Sequence, residues 1–222
     1  MRPNREARSL LESRFDVSRE TMARLDRFAQ ILERWNSRLN LVSTESLGRV
    51  WDRHILDSAQ VLDPVRFRQQ LRWADLGSGA GFPGMVVAIV GPGLIADLSV
   101  TLVESNARKC AFLANVSRET STPVRIVNAR VEEVTQGRVD EGDGEFDVVS
   151  ARAVAELPDL LRLASGMLAH DGICLFPKGR GCDREISVAR KHWRFSLARW
   201  PSLTDPDARI LEIGDIFRAT ST

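Results

Sequence analysis

A glycine-rich stretch between an apolar run and a helical pattern constrains this chain more than any other feature. Residues Asp75–Gly84 have the sequence Asp-Leu-Gly-Ser-Gly-Ala-Gly-Phe-Pro-Gly, with an acidic residue at the end of a predicted strand and glycines at the start of a predicted helix. Because glycine has no side chain, such a turn can approach a ligand closely and present free N–H groups to it. The stretch therefore predicts a cofactor-binding turn.

From residue 71 onward, short apolar runs alternate with helical patterns. The predicted strands are Leu71–Leu76, Val100–Val103, Val124–Val127, Phe146–Val149 and Ile173–Phe176. The predicted helices cover residues 84–90, 106–120 and 157–168. This alternation is typical of an α/β fold with a doubly wound, mostly parallel sheet. Residues 193–203 and 208–217 lack a helical period and predict an antiparallel hairpin, and the polar residues 135–145 predict a surface loop.

The first 70 residues carry only helical patterns. Ser18 can cap a helix over residues 18–38, and a second pattern covers about residues 45–62 after a connecting loop at 36–43. Residues 1–72 contain 14 Arg and no Lys against 10 acidic residues, whereas the remainder has more acidic than basic residues. Clustered arginine is typical of a protein that binds a phosphate backbone. A solvated helix face with paired charges explains the same pattern equally well.

Composition argues against two classes of protein. The apolar run Met85–Val90 is far shorter than the roughly 20 residues of a membrane-spanning helix, and the charged start of the chain does not resemble a secretion signal. We therefore expect a cytoplasmic protein that does not bind a membrane. Cys110, Cys174 and Cys182 have no C-x-x-C spacing, so we predict reduced thiols and no metal site.

The glycine pattern alone leaves two cofactor classes open. Residues Gly79–Gly84 satisfy G-x-G-x-x-G, which also suits a nicotinamide-dependent oxidoreductase. Asp75 lies where a carboxylate can meet the cationic methionine end of S-adenosylmethionine, and Glu104 ends the next strand, where an acid can accept both ribose hydroxyls. Pro83 removes an N–H and Phe82 adds bulk where a pyrophosphate would bind. The residues thus favour S-adenosylmethionine over a dinucleotide.

Several further motifs follow one another in a recognisable order between Trp35 and Gly179. They are Asn40–Ser43, Arg53–Ser58, Asp75–Gly84, Val103–Ser105, Arg108–Lys109, Phe112–Leu113, Arg130–Glu133, Ala151–Ala155 and Pro177–Gly179. Together they resemble the ribosomal small subunit guanine-N7 methyltransferases, also called glucose-inhibited division protein B. Two positions depart from that family: Ala151 replaces a usual Ser, and Arg209–Leu211 replaces a more basic ending with Arg-His-Leu.

The resemblance implies a class I, Rossmann-like methyltransferase fold. From the change of pattern near residue 70 we expect this domain over residues 71–222 and an RNA-facing helical extension over residues 1–70. The resemblance also implies S-adenosylmethionine as methyl donor, N7 of a guanine in 16S rRNA as acceptor, and the free RNA or the 30S subunit as partner, with no DNA. We expect a monomer. The expected cofactor-binding residues are Asp75, Gly77, Gly79, Phe82, Glu104, Val131, Glu132 and Arg152.

The residues permit this chemistry more readily than other base methylations. Methylation at carbon usually needs a cysteine nucleophile, but no cysteine lies at the end of the fourth strand, and the chain has no Tyr for an Asn-Pro-Pro-Tyr type motif. Guanine N7 has a free lone pair, so no general base is predicted, and Arg152 is the one catalytic candidate. The candidate RNA contacts are Arg53, His54, Lys178 and Arg180.

Three alternatives accompany these predictions. The first is a non-enzymatic ribosome assembly factor that binds RNA and uses the cofactor pocket only structurally. His54 is also explained as a structural hydrogen-bonding residue, and Lys178 as a side chain that covers apolar surface.

Overall fold

The computed structural model of the chain describes residues 2–135 and 146–219, and seven strands of these residues form one sheet. In chain order they are β1 Gln70–Leu76, β2 Asp97–Val103, β3 Arg125–Val127, β4 Phe146–Ala151, β5 Leu168–Lys178, β6 Trp193–Pro201 and β7 Arg209–Arg218. The spatial order is β3-β2-β1-β4-β5-β7-β6, with β1 to β5 parallel and β7 antiparallel to both neighbours. The predicted parallel sheet and terminal hairpin are confirmed.

Helices cover both faces of the sheet. In chain order they are α1 Arg2–Phe15, α2 Arg19–Leu39, α3 Thr44–Leu47, α4 Asp57–Ala59, α5 Gly84–Val90, α6 Ala107–Glu119, α7 Val131–Thr135, α8 Leu157–Ala164 and α9 Cys182–Ala189. A π-helical turn covers Trp51–Leu56, and 3₁₀ turns cover Gln60–Val65 and Gly91–Gly93. Within the described residues, no helix combines the length and apolar character that crossing a membrane requires.

The sequence prediction needs correction in several places, among them the loop expected at 36–43, whose first four residues belong to the end of α2. The single helix expected over residues 45–62 is broken into α3, the π turn, α4 and a 3₁₀ turn; Gly48, a poor helix former, follows α3, and Pro64 lies inside the 3₁₀ turn. Helices α1 and α7 were not predicted, and Leu168 belongs to β5 rather than to the preceding helix. The loop predicted at 135–145 lies outside the described residues, except for Thr135, which ends α7.

Helix α2 carries the strongest local signals of the extension. The Ser18 side chain accepts a hydrogen bond from the backbone N–H of Thr21, which caps the helix start. The helix ends at Asn40, which has a left-handed φ of 46°. One face is buried through side chains three or four residues apart, namely Met22, Leu25, Phe28, Ile31 and Leu32.

The buried side chains form two hydrophobic clusters, one on each face of the sheet. The first joins α1, α2 and the π turn to α5, α6 and one face of β1 through residues such as Phe28 and Trp73. The second joins α8 and α9 to the other face of the sheet. The first cluster continues across residue 70, so the extension packs directly on the sheet. The division into residues 1–70 and 71–222 stays a prediction.

Candidate active site

The glycine-rich turn lies at the carboxyl end of β1, where ligands bind in open α/β sheets. Gly77, Gly79 and Gly81 all have a positive φ, which residues with a side chain rarely adopt. The N–H of Ser78 donates to the Val103 carbonyl oxygen at 3.0 Å, which fixes the turn against the end of β2. The backbone of this turn is therefore held next to the carboxyl ends of β1 and β2.

The Asp75 carboxylate is fully buried and bonded within the protein. Its Oδ2 accepts from the Gly84 N–H at 3.1 Å and its Oδ1 from the Ser150 hydroxyl at 2.7 Å. Burial raises the pKa of Asp75 to about 6, against the opposing effect of those hydrogen bonds. A Cβ on Gly84 would lie 2.6 Å from the Asp75 Cβ, so only glycine permits this approach. This geometry does not support the expected direct contact with the methionine end of a cofactor; the carboxylate holds the start of α5.

Glu104 follows β2 and borders a cavity of about 450 Å³. Its Oε2 accepts from the Gly79 N–H at 2.9 Å and its Oε1 from the Asn106 N–H at 2.8 Å. A carboxylate has about four lone-pair sites, so roughly two remain for a ligand. We call this space the donor cavity; its lining includes Gly77, Glu104, Val131, Glu132 and Val154.

The donor cavity fits a nucleoside cofactor in size and chemistry. Ligand pockets typically have about 300–1,000 Å³, and the carboxylate of Glu104 can accept two hydroxyl groups. Four of the predicted cofactor residues line the cavity, namely Gly77, Glu104, Val131 and Glu132. Gly79 does not line it but donates its N–H to Glu104, which does. The remaining three predicted cofactor residues, Asp75, Phe82 and Arg152, are not part of its lining.

The Phe82 ring is packed against the helical extension. Its centroid lies 5.2 Å from that of Phe28 and 4.8 Å from that of His54, with the His54 ring nearly parallel to it. The Arg152 guanidinium lies 5.0 Å from the Phe82 centroid. Phe82 thus joins the turn to the extension, and its buried side chain does not support the contact with a cofactor that the resemblance implied.

Arg152, directly after β4, contacts the helical extension through three groups. Its Nη1 donates to Asp57 Oδ2 at 3.0 Å and to the Arg53 carbonyl at 3.3 Å, and its Nη2 lies 3.0 Å from His54 Nδ1. Because arginine can only donate, Nδ1 accepts and the His54 ring carries its proton on Nε2. Burial, with the charges of Arg152 and Arg53, lowers the pKa of His54 to about 4, so the ring is neutral at pH 7. Its Nε2 finds no partner within the described chain.

A second cavity of about 750 Å³ adjoins Arg152, and we call it the acceptor cavity. Its lining includes Arg53, His54, Asp57, Gln60, Arg152, Lys178, Thr204 and Arg209. Three of the four predicted RNA contacts therefore border it. The fourth, Arg180, is exposed outside this lining and pairs with Asp207 at 2.7 Å.

Sequence reasoning missed the part of this cavity that the terminal hairpin supplies. The Thr204 hydroxyl donates to Asp57 Oδ1 at 2.8 Å, and the Leu203 N–H donates to Gln60 Oε1 at 2.7 Å. Arg209 lines the cavity although its segment departs from the family pattern. Asp57 lies within the motif Arg53–Ser58, so the sequence contained an indication that Asp57 belongs to the site.

The two cavities share one wall. Ala153, Val154 and Ala155 line both of them, and Ala153 has a left-handed φ of 57°. A Cβ placed on Gly77 would lie 2.8 Å from Val154 Cγ2, so this side chain lies directly over the glycine turn. Groups bound in the two cavities would therefore approach each other at residues 153–155.

Comparison with known proteins relates this arrangement to methyltransferases. Two solved structures share the fold: TrmN from Thermus thermophilus (TM-score 0.53, 14% identity, 72% of this chain and 48% of that one), and the T. thermophilus 16S rRNA N2 G1207 methyltransferase RsmC, solved in complex with AdoMet and guanosine (TM-score 0.52, 14% identity, 73% and 43%). The chain thus shares the fold of these two proteins.

Sequence comparison identifies the family. The Ribosomal RNA small subunit methyltransferase G of Methylobacterium sp. is 47% identical over 90% of this chain and 91% of its own length. The protein of the same name from Cereibacter sphaeroides is 44% identical over 90% and 94%. The model of the GidB family, rRNA small subunit methyltransferase G, matches residues 21–209. These matches agree with the geometry of the site, and they show that the chain belongs to the rRNA small subunit methyltransferase G family.

Proposed function

We propose that this protein transfers a methyl group from S-adenosylmethionine to N7 of a guanine in 16S rRNA. The observation that carries the proposal is the pair of cavities with a common wall at residues 153–155, one bordered by the Glu104 carboxylate and the other by arginines. Membership of the family makes the chain an rRNA methyltransferase and argues against the oxidoreductase and the non-catalytic assembly factor. The atom and the nucleotide belong to the proposal.

The donor cavity supplies the groups that a nucleoside needs. Glu104 would accept hydrogen bonds from the ribose hydroxyls, while Val131 and Glu132 would lie beside the adenine, as the resemblance implies. Bound S-adenosylmethionine supplies an electrophilic methyl group on a sulfonium centre. The protein's part is to hold that nucleoside against the shared wall.

The acceptor cavity would orient the base and exclude water. The N7 lone pair forms the new bond to the methyl carbon as the bond from carbon to sulfur breaks, so no proton has to leave the base. A general base is therefore unnecessary, which agrees with His54, whose Nδ1 lone pair already accepts from Arg152, and with Arg152, which can only donate. Alignment, rather than proton transfer, would set the rate.

The rim of the acceptor cavity suits a phosphate backbone. Arg53 lies 4.0 Å from Asp205, its one ion-pair partner in the described chain, and is about half exposed. The guanidinium of Arg209 donates hydrogen bonds to the Pro206 and Ala208 carbonyls. We assign both arginines to phosphate contacts beside the target guanine. The proposal includes action as a monomer in the cytoplasm, on 16S rRNA or the 30S subunit.

The test is transfer of labelled methyl from S-adenosylmethionine to 30S subunits and to free 16S rRNA. Borohydride reduction followed by aniline should cleave the product RNA at one guanine, because 7-methylguanosine is sensitive to this treatment. Incorporation without cleavage would contradict N7 as the acceptor. Absence of incorporation into both RNA substrates would contradict the proposed function itself.

A further inference from the structure

The segment Arg152–Leu157, which we call the dividing segment, is hydrogen-bonded to other parts of the chain at both ends. At its start, Arg152 bonds to Asp57, as described above. At its end, the Leu157 N–H donates to Glu185 Oε2 at 2.8 Å. Between these points its residues line both cavities, so its position sets how closely the two cavities approach each other.

Lys178, at the end of β5, provides the third attachment. Its ammonium group donates to the Ala155 carbonyl at 3.0 Å and to Glu185 Oε2 at 2.7 Å. The side chain is only 11% exposed, whereas Arg53 on the same cavity has 47% of its side chain exposed. One of these bonds joins Lys178 directly to the dividing segment, at Ala155. The other joins it to Glu185, which accepts from the Leu157 N–H in the same segment.

We propose that Lys178, paired with Glu185, is a positioning residue that holds the dividing segment between donor and acceptor, and that it does not bind RNA phosphate. This inference rests on the proposed function and replaces the expected RNA contact at Lys178. Its charge is neutralised by Glu185 at 2.7 Å, so releasing it to a phosphate would leave a half-buried carboxylate without its cation.

The proposal predicts an effect on turnover rather than on affinity. A displacement of about 1 Å in groups that orient the reactants can slow the chemical step about 100-fold. Loss of a phosphate contact instead weakens RNA binding and reduces the slope of log K against log salt by about 0.7. The two roles therefore differ in kcat, in the Kd for RNA and in salt dependence.

The experiment compares Lys178→Met with Lys191→Met, a matched control on the exposed turn after α9. We expect Lys178→Met to reduce kcat about 10- to 100-fold, with Kd values for S-adenosylhomocysteine and 16S rRNA within about twofold of wild type and an unchanged salt slope. Arg53→Gln should instead lower the RNA affinity and the salt slope. Lys178→Arg should recover part of the lost kcat.

Two further measurements make the inference decisive. Glu185→Gln and the double variant Lys178→Met/Glu185→Gln should reduce kcat no further than Lys178→Met, because both residues act through one pair. Without RNA, amide hydrogen exchange across residues 153–157 should be faster in Lys178→Met than in wild type, while Lys191→Met leaves it unchanged.

A lower RNA affinity with a reduced salt slope in Lys178→Met, or an unchanged kcat, would overturn the positioning role. Should wild type itself transfer no methyl group, the proposed function fails, and amide exchange alone then decides the inference. Unchanged exchange across residues 153–157 would refute it in that case.

Discussion

Replacement of Glu104 by alanine should weaken cofactor binding without unfolding the protein. Two of about four acceptor sites on this carboxylate are taken by the N–H groups of Gly79 and Asn106, which leaves two for the ribose hydroxyls. A hydrogen bond to a charged group contributes about 1.5–3 kcal/mol. Loss of one such bond should therefore raise the Kd roughly 10- to 150-fold, and loss of both with the carboxylate should raise it by at least that factor.

Calorimetric titration with S-adenosylhomocysteine measures this change. Asp97→Ala is the matched control, because Asp97 is an exposed acid at the start of β2, the strand that Glu104 follows, and lies outside the donor cavity. Thermal unfolding of each variant, recorded first, ensures that the titration uses folded protein. A Glu104→Ala variant that is folded and binds within about twofold of wild type would refute the ribose contact.

Three further changes test how the turn is held. Gly84→Ala should lower the free energy of unfolding by about 1–3 kcal/mol or more through overpacking, whereas Gly93→Ala, with open space around its Cβ, should change it little; equal melting temperatures would contradict this. Ser150→Ala should cost about 1–3 kcal/mol in chemical denaturation, because it leaves the Trp73 indole N–H without its acceptor and Asp75 Oδ1 without its donor; an unchanged midpoint would contradict it. Because the folded pKa of Asp75 is raised to about 6, wild type should gain stability relative to Asp75→Asn as pH falls from 7 to 4, by about 3 kcal/mol at most, and a constant difference across this range would show that Asp75 does not titrate there.

Local patterns predicted the elements of this fold better than the contacts between them. The glycine turn, the parallel strands and the hairpin depend on short-range residue preferences, and all three are confirmed. A helical period over residues 45–62 cannot reveal the π turn, because such turns occur mostly as single turns within otherwise helical segments. Sequence also placed Asp75 correctly at a strand end. The direction of its carboxylate depends on the close approach of Gly84, which only the packed structure defines.

The site residues divide in the same way. Glu104 could be found because its role depends on its place after β2, next to the turn. The engagement of Lys178 by Glu185 could not be found, since a lysine next to glycines has the same sequence pattern whether it is free or paired. Arg152 and Asp57 are 95 positions apart, so their ion pair requires the tertiary fold.

The hydrogen bonds from the terminal hairpin to Gln60 and Asp57 have a consequence for synthesis of the protein. Asp57 and Thr204 are separated by 147 positions in the chain. A nascent polypeptide that has emerged only through β5 already contains every residue around the donor cavity, but it lacks the hairpin side of the acceptor cavity. During translation, all residues that line the donor cavity therefore emerge before those on the hairpin side of the acceptor cavity.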